Sequence, residues 1–127
     1  MKITAVLIVE EIERSLHFWI GRLGMEKTAE VPEGGRLGFV LLQKGAAEVM
    51  LQSRASVEKD LPILEARRLI GGTALFVEVE DFEATVAALG DTEVVLPTRT
   101  TFYGMKEIVV REPGGHHVVL AAPVAPQ

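Results

Sequence analysis

The side chains of this chain that could do chemistry are a few glutamates and histidines on strand-like stretches. The sequence contains three histidines and no cysteine, which excludes disulfides, thiolate metal sites and a cysteine nucleophile. His116 and His117 are adjacent on a turn or strand, so their side chains point to opposite faces and cannot easily share one metal ion. Two glutamates that converged in a cleft could instead provide an acid and a base, because like charges raise a carboxyl pKa.

The elements that must position these groups come in two copies. Residues 4–9 and 74–79 are apolar and strand-like, and each run leads into a related phrase, Val-Glu-Glu-Ile-Glu at 9–13 and Val-Glu-Asp-Phe-Glu at 79–83. A helix-like stretch follows each phrase. A repeat at about half the chain length indicates two copies of one supersecondary unit around a shared core. The place where the copies face each other is where a ligand is expected.

Hydrophobic periodicity predicts a β-α-β-β-β order in each copy. In the first copy the helix starts at Glu11, and its apolar stripe reaches Leu23. Turn signals separate the predicted strands, which cover residues 25–31, 37–43 and 47–52, then 92–96, 103–111 and 117–121. We therefore predict one α+β domain over residues 1–127, with a first module at about 1–53, a linker with a short helix at 54–71, a second module at about 72–122, and a loose tail from 123.

Charge and composition narrow the class of partner. The net charge is −5 without a cluster of lysine or arginine, which argues against nucleic-acid binding. No apolar run approaches a membrane span or a secretory signal, so no membrane partner is expected and the location predicted is cytoplasmic. An acidic surface tolerates or attracts a cationic small molecule, although mild acidity also serves solubility alone.

Three stretches resemble the vicinal oxygen chelate superfamily, which includes glyoxalase I, extradiol dioxygenases and bleomycin-resistance proteins. They cover residues 12–26, with Phe18-Trp19 and Leu23-Gly24-Met25-Glu26, residues 103–107, and the turn Arg111-Glu112-Pro113-Gly114-Gly115-His116. The resemblance spans about residues 2–122. It implies paired βαβββ modules whose curled mixed sheet surrounds a cavity, and a homodimer whose sites are often shaped by both chains. Whether the modules pair within one chain or between chains stays open.

The same resemblance assigns four metal-ligand positions, which fall on Thr4, Met50, Ala74 and Val119. Divalent metals in proteins without thiolates need imidazole or carboxylate groups, and none of these four side chains supplies one. Moving the Met50 position to Val49 does not help. No metal and no other cofactor is therefore expected.

Strand alternation provides the candidate cavity lining. Leu7, Val9, Leu75, Val77 and Val79 are expected to face the helices. The opposite face is expected to line the cavity with Thr4, Val6, Ile8, Glu48, Met50, Gln52, Ala74, Phe76, Glu78, Tyr103, Met105, Glu107, His117, Val119 and Ala121. This set describes a mostly apolar pocket with scattered polar groups, as in small-molecule sites. Its apolar members can equally be packed core, and its glutamates can be solvated charges at strand ends.

Three functions follow from this pattern. The first is a metal-independent protein that binds and sequesters an apolar or cationic small molecule. The second is a lyase, isomerase or dioxygenase of the same superfamily, with a displaced metal or with Glu and His as acid and base. The third is a structural or regulatory dimer whose cavity is closed. The first function is favoured because the four assigned metal positions lack ligating side chains and because the net charge is negative.

Overall fold

The computed structural model of the chain describes residues 1–124, so residues 125–127 of the expected tail lie outside it. Eight strands form two sheets: β1 Ala5–Val9, β2 Glu26–Glu33, β3 Arg36–Lys44, β4 Ala47–Ser53, β5 Ala74–Glu78, β6 Glu93–Thr100, β7 Met105–Arg111 and β8 His117–Pro123. Four α-helices accompany them: α1 Ile12–Leu16, α2 Arg54–Asp60, α3 Ala66–Leu69 and α4 Phe82–Ala87. A 3-10 turn, Pro62–Leu64, connects α2 to α3.

The two sheets repeat one topology. The first has the strand order β1-β4-β3-β2 and the second the order β5-β8-β7-β6. In each sheet the first strand pairs in parallel with the last, and the other pairs are antiparallel. The predicted α+β fold of two βαβββ units is therefore confirmed. The two units keep separate sheets within the chain and do not close around one space.

The outer strands β2 and β6 are longer than predicted because each continues through a proline. Pro32 and Pro97 were expected to end their strands. Both β2 and β6 pair with a neighbouring strand on one side only. A proline, which has no N–H group, fits such a strand when its nitrogen lies on the unpaired side. The strand predicted at 92–96 consequently reaches Thr100.

The first predicted helix changes its winding in the middle. It begins at Ile12 as an α-helix and continues as a wider π-helical stretch, His17–Arg22. Phe18 and Trp19 point into the core in this stretch, 1% and 2% exposed, with their rings edge to face. Gly24, with φ +77°, ends the helix, as the sequence predicted.

Both sheets bury their helix-side faces in one continuous core. Leu7 and Val9 of β1 enter this core from the first sheet, and Val118 and Leu120 of β8 enter it from the second. Leu75, Val77 and Val79 pack against the same cluster. Because the two units meet through their helix sides, the opposite faces of their sheets point away from this core.

A buried polar network joins the two units. Glu112, 1% exposed, accepts a hydrogen bond from the indole Nε1 of Trp19 at 3.2 Å and another from the backbone N–H of His116 at 3.2 Å. The fully buried His116 ring accepts the N–H of Thr73 at Nδ1 (3.1 Å), so its Nε2–H donates to the carbonyl of Ile8 at 2.7 Å. The predicted turn thus holds β1, the π-helical stretch after α1 and the start of β5 together.

The linker between the units covers one end of the first sheet. Val57 of α2 and Ala66 of α3 pack on Ile8 in a small cluster separate from the main core. Ile8 lies on the face that was expected to line the cavity, but this cover leaves it 4% exposed. At the other end of the chain, Pro123 closes β8 and the N–H of Val124 bonds to the carbonyl of Gly104. Within residues 1–124 there is no helix long and apolar enough to span a membrane.

Candidate functional site

The side of the first sheet that faces away from the core is the first open face. Strand register places Val6 beside Met50 and Ile8 beside Gln52, and Leu41, Phe39 and Gln43 of β3 continue the same rows. Paired residues of neighbouring strands point to one side, so these side chains share the face. Val6, the second residue of the edge strand β1, is 43% exposed. This face is therefore an apolar surface without a cover along most of its length.

The corresponding side of the second sheet is the second open face. Phe76 lies beside Val119, and Val109 of β7 lies on the other side of Val119. Met105 and Glu107 share this face, since Glu107 pairs with Ala121 and Met105 with Pro123, whereas Ile108 and Val110 are in the core. Phe76 is 53% exposed, and Phe102 in the turn before β7 is fully exposed. The second face is thus also apolar and is open around Phe76, whereas Ala121 and Glu107 at its other end are buried, although both were expected to line the cavity.

Glu48 at the start of β4 is the best-held charge on the first open face. Its carboxylate accepts hydrogen bonds from Thr4 Oγ1 at 2.6 Å and from Gln43 Nε2 at 2.7 Å. Lys2 Nζ lies 2.9 Å from one carboxylate oxygen and 3.1 Å from the other. The hydroxyl of Thr4, followed by Lys2 and Gln43, lowers the pKa of Glu48 to about 2. The face therefore carries an oriented carboxylate that is ionised at neutral pH.

Glu107 is the corresponding charge on the second open face, and it is 2% exposed. One carboxylate oxygen accepts a hydrogen bond from Arg99 Nη2 at 3.2 Å, and the other accepts the hydroxyl of Tyr103. This hydrogen bond stabilises the neutral phenol and raises the pKa of Tyr103. Phe102 packs edge to face on the Tyr103 ring. Phe102 and Tyr103 thus form an aromatic corner over a carboxylate that is paired with Arg99.

The predicted site residues collect in two groups rather than one. Glu78 and Glu107 are at the same level of the second sheet with Ala121 between them, about 10 Å apart along two strand spacings. His117 shares this face but lies at the other end of β8, four residues from Ala121 and beside Ala74, and its Nε2 is 3.4 Å from Arg111 Nη2. Glu48 belongs to the other sheet. No pair of the predicted glutamates shares a hydrogen-bond network within the described chain.

The metal positions that the family resemblance assigns do not fit a metal ion. Met50 and Val119 occupy equivalent places beside Val6 and Phe76, but a thioether and an alkyl group are no ligands for a hard or borderline divalent ion. Thr4 uses its hydroxyl for Glu48, and Ala74 has no donor atom. Within residues 1–124, no group of three or more His, Asp or Glu side chains is placed to hold a metal ion.

Two surface clefts lie away from the predicted residues. One, of about 330 Å³, lies between the first helix and the turn before β8 and includes Arg14, Arg22 and Arg111. Each of these arginines is paired with a carboxylate, so the cleft has no excess of unpaired charge. The other, of about 370 Å³, surrounds Gly24 and Gly45 at a hairpin end. Neither cleft offers the apolar surface of the open faces, and we regard the open faces as the candidate site.

Sequence reasoning missed the partners that hold the two carboxylates. Gln43 could have been found from the hairpin, because a turn at Lys44-Gly45 pairs Gln43 with Glu48. Arg99 was missed because the strand was expected to stop at Pro97. Lys2 precedes the first strand, and no periodic pattern indicates where its side chain points.

Fold and surface together describe a protein of two paired βαβββ units, each with one open sheet face. A family model for the Glyoxalase/Bleomycin resistance protein/Dioxygenase superfamily matches residues 3–120, and the chain belongs to this superfamily. The resemblance seen in the sequence is thereby confirmed. Among curated protein sequences none matches the chain.

Several solved structures share this fold at low sequence identity. The bleomycin-binding protein of Streptomyces verticillus, solved with copper(II)-bleomycin, is 18% identical with a TM-score of 0.61, over 99% of this chain and 97% of its own. TnmS3, an antibiotic-binding protein from a Streptomyces species, is 17% identical with a TM-score of 0.68, over 97% of each chain. TioX from a Micromonospora species is 16% identical with a TM-score of 0.72, over 100% of this chain and 99% of its own.

Proposed function

We propose that this chain is a metal-independent protein that binds and sequesters an apolar or cationic small molecule between two copies of itself. The observation that carries the proposal is the pair of open sheet faces, on which Val6 and Phe76 are exposed and Met50 and Val119 are only partly buried in the single chain. Monomeric soluble proteins rarely expose contiguous apolar surface of this kind unless it binds something. A cytoplasmic location remains part of the proposal, as the sequence predicted.

A homodimer would turn the two open faces into closed cavities. Within one chain the units pack through their helix sides, so the open faces of its two sheets cannot cover each other. The first open face of one copy, placed over the second open face of its partner, would give two equivalent sites related by a two-fold axis. Each cavity would be mostly apolar with a few polar groups, among them Glu48 and the partner's Glu107, which is the usual composition of a small-molecule site.

Metal independence is supported by the donor chemistry at the four assigned positions. Thr4, Met50, Ala74 and Val119 cannot replace the imidazoles and carboxylates of a divalent site. The printed names of two relatives of the same fold, a bleomycin-binding protein and an antibiotic-binding protein, support the binding class without identifying the compound.

Acid–base catalysis is the second candidate function, and the hydrogen bonds that Glu107 already accepts are the reason why it ranks behind binding. A buried carboxylate next to a tyrosine hydroxyl is a plausible pair for proton transfer. Both oxygens of Glu107 are already occupied, however, by Arg99 and Tyr103. Proton transfer to Glu107 would have to break one of these hydrogen bonds, and a phenol with a raised pKa, such as that of Tyr103, is a weak acid.

Thermal-shift screening against cationic glycopeptides and aromatic metabolites tests binding, because a ligand specific for the folded state raises the melting temperature. Phe76→Glu, at the centre of the edge strand β5 on the second open face, should abolish the shift caused by a bound compound. Ile63→Glu is the matched control, since Ile63 is also an exposed apolar side chain, 86% exposed, but lies on the linker. Equal shifts in the two variants would contradict the location of the site.

Two further measurements test the metal independence and the homodimer of the proposed function. Metal analysis after purification and dialysis should find no stoichiometric zinc, nickel, manganese or iron, and finding one would overturn metal independence. Light scattering coupled to size exclusion should give the mass of two chains. A monomer at all concentrations would leave both open faces uncovered and would overturn the shared cavity.

A further inference from the structure

The carboxylate of Glu48 is held by side chains from two other parts of the fold, the segment before β1 and the strand β3. Thr4 Oγ1 reaches one oxygen at 2.6 Å and Gln43 Nε2 reaches the other at 2.7 Å, so each oxygen is fixed by a neutral donor from a different part of the fold. The glutamate side chain is 11% exposed. Two neutral donors orient the carboxylate but leave its negative charge uncompensated, and an ionised carboxylate can accept about four hydrogen bonds.

Lys2 supplies the compensating charge from outside the sheet. Its ammonium contacts both oxygens, at 2.9 and 3.1 Å, in the manner of a bound ligand. The lysine side chain itself is 73% exposed, and it precedes β1 in a segment whose neighbours Met1 and Ile3 are 118% and 88% exposed. Glu48 is the one hydrogen-bond partner of the Lys2 side chain within residues 1–124. The cation is therefore held by an arm with little other attachment.

We propose that Glu48 is the cation-binding group of the first open face and that Lys2 is a built-in competitor which a ligand's ammonium or guanidinium group displaces. The inference rests on the proposed function and adds the class of ligand and the atom that recognises it. An exposed lysine ion pair contributes only about a two- to fivefold change in an equilibrium, so a ligand with additional apolar contacts can replace it.

The residues next to Glu48 define the rest of such a ligand. Two residues further along β4 is Met50, with Val6 of β1 beside it, and both belong to the first open face. Leu41 of β3 lies on the other side of Met50. A molecule with an ammonium group on Glu48 would lay its body on this apolar row. The ligand class is thus an amphiphilic cation, with one charged end and an apolar or aromatic body.

The test compares a cationic probe with its neutral counterpart on the full chain. Phenylbutylammonium and phenylbutanol share the same body and differ in the charged group. Their dissociation constants are measured by NMR titration for the wild type, Lys2→Met, Glu48→Gln and Lys59→Met. Lys59 is the matched control, because its side chain is 74% exposed and pairs with Glu33 at 3.3 Å away from Glu48. The carboxyl resonance of Glu48 reports directly whether the probe reaches it.

The wild type should bind the ammonium more tightly than the alcohol. Lys2→Met should tighten the ammonium by about two- to fivefold and leave the alcohol unchanged. Lys59→Met should change neither, and Glu48→Gln should remove the preference for the cation while the alcohol still binds. That last result separates the two proposals, since the apolar face would still function without its cation subsite.

Two results would overturn the inference. An ammonium affinity that stays the same or weakens in Lys2→Met would show that Lys2 does not compete. Failure of both probes to bind at millimolar concentration would show that this face does not take an amphiphilic cation, while the wider compound screen would still decide the proposed function.

Discussion

The hydrogen bond between Trp19 and Glu112 should couple the stability of the two units. It connects the first helix with the turn before β8, and both groups are almost fully buried. Glu112 has no ion pair with a basic side chain within residues 1–124, so the indole N–H and the backbone N–H of His116 are its hydrogen-bond donors. We expect the variants Trp19→Phe and Glu112→Gln each to destabilise the protein, and the double variant to lose less than the sum.

The size of the coupling follows from the charge on the acceptor. Hydrogen bonds to charged groups contribute about 1.5–3 kcal/mol and neutral ones about 0.5–1.5 kcal/mol. The distance of 3.2 Å is at the long end of the normal range, which favours the lower values. Since Glu112→Gln replaces a charged acceptor by a neutral one, the coupling energy should be about 1 kcal/mol. For 127 residues this corresponds to about 4 °C in melting temperature.

The assay is urea unfolding of the four proteins followed by far-ultraviolet circular dichroism. Trp19 is the single tryptophan of the chain, so fluorescence cannot be used for its variants. Protein concentration must be the same throughout, because dimerisation would make apparent stability depend on it. The control cycle pairs Trp19→Phe with Glu48→Gln, which lies on the first open face and shares no hydrogen-bond partner with Trp19.

The result that would refute the reasoning is additivity. Changes at independent sites usually add within about 0.3–0.5 kcal/mol. A coupling energy inside that range for Trp19 and Glu112 would mean that the indole does not stabilise the buried carboxylate. A coupling of the same size in the control cycle would mean that the cycle reports a general loosening of the fold.

The remaining predictions concern packing and ionisation. Gly114→Ala should destabilise the chain by about 1–3 kcal/mol in the same unfolding assay, because its Cβ would lie 2.4 Å from Val9 Cγ1. Gly35→Ala is the control and should cost less, because no atom lies within 4 Å of the added Cβ and Gly35 does not have a positive φ. The carboxyl resonance of Glu48 should titrate with a midpoint near pH 2, and a midpoint near 4.5 would refute the hydrogen-bond scheme. Because folding lowers the pKa of Glu48, the stability that this carboxylate adds is complete above about pH 4.5. This stability shrinks as the pH falls and is lost through pH 2. Tyr103, the one tyrosine, should form tyrosinate only above the ordinary tyrosine pKa of about 10, as an absorbance titration would show. Glu107→Gln should lower the pKa of Tyr103. If the absorbance titration is the same in the variant and the wild type, the hydrogen bond between Tyr103 and Glu107 is absent in solution.

The face of each strand could be predicted from the sequence because alternation is a local property. The order Thr4 to Val9 determines that Leu7 and Val9 lie on the side opposite to Val6, whatever the rest of the chain does. The structure places Leu7 and Val9 in the core and leaves Val6 open. The fold could be predicted for the same reason, since the βαβββ order was readable twice.

Features that depend on distant parts of the chain could not be predicted. Ile8 has the alternation of a cavity residue, but the linker helices cover it, and their position depends on tertiary packing. His116 resembled an ordinary turn residue, and its role in joining β1 to β5 appears only when the units are packed together. Alternation within one chain also cannot reveal whether another molecule covers the open faces and encloses a cavity.

The prolines of the outer strands have a consequence for how far an assembly can grow. Each sheet has two margins, β1 and β2 in the first and β5 and β6 in the second. Pro32 and Pro97 remove a donor from the β2 and β6 margins, which makes them poor templates for another strand, whereas β1 and β5 contain no proline. A further strand could therefore be added to each sheet at one margin only, the β1 margin of the first or the β5 margin of the second. Neither sheet could then be extended from both sides, which disfavours the continuous growth of sheet that fibres require.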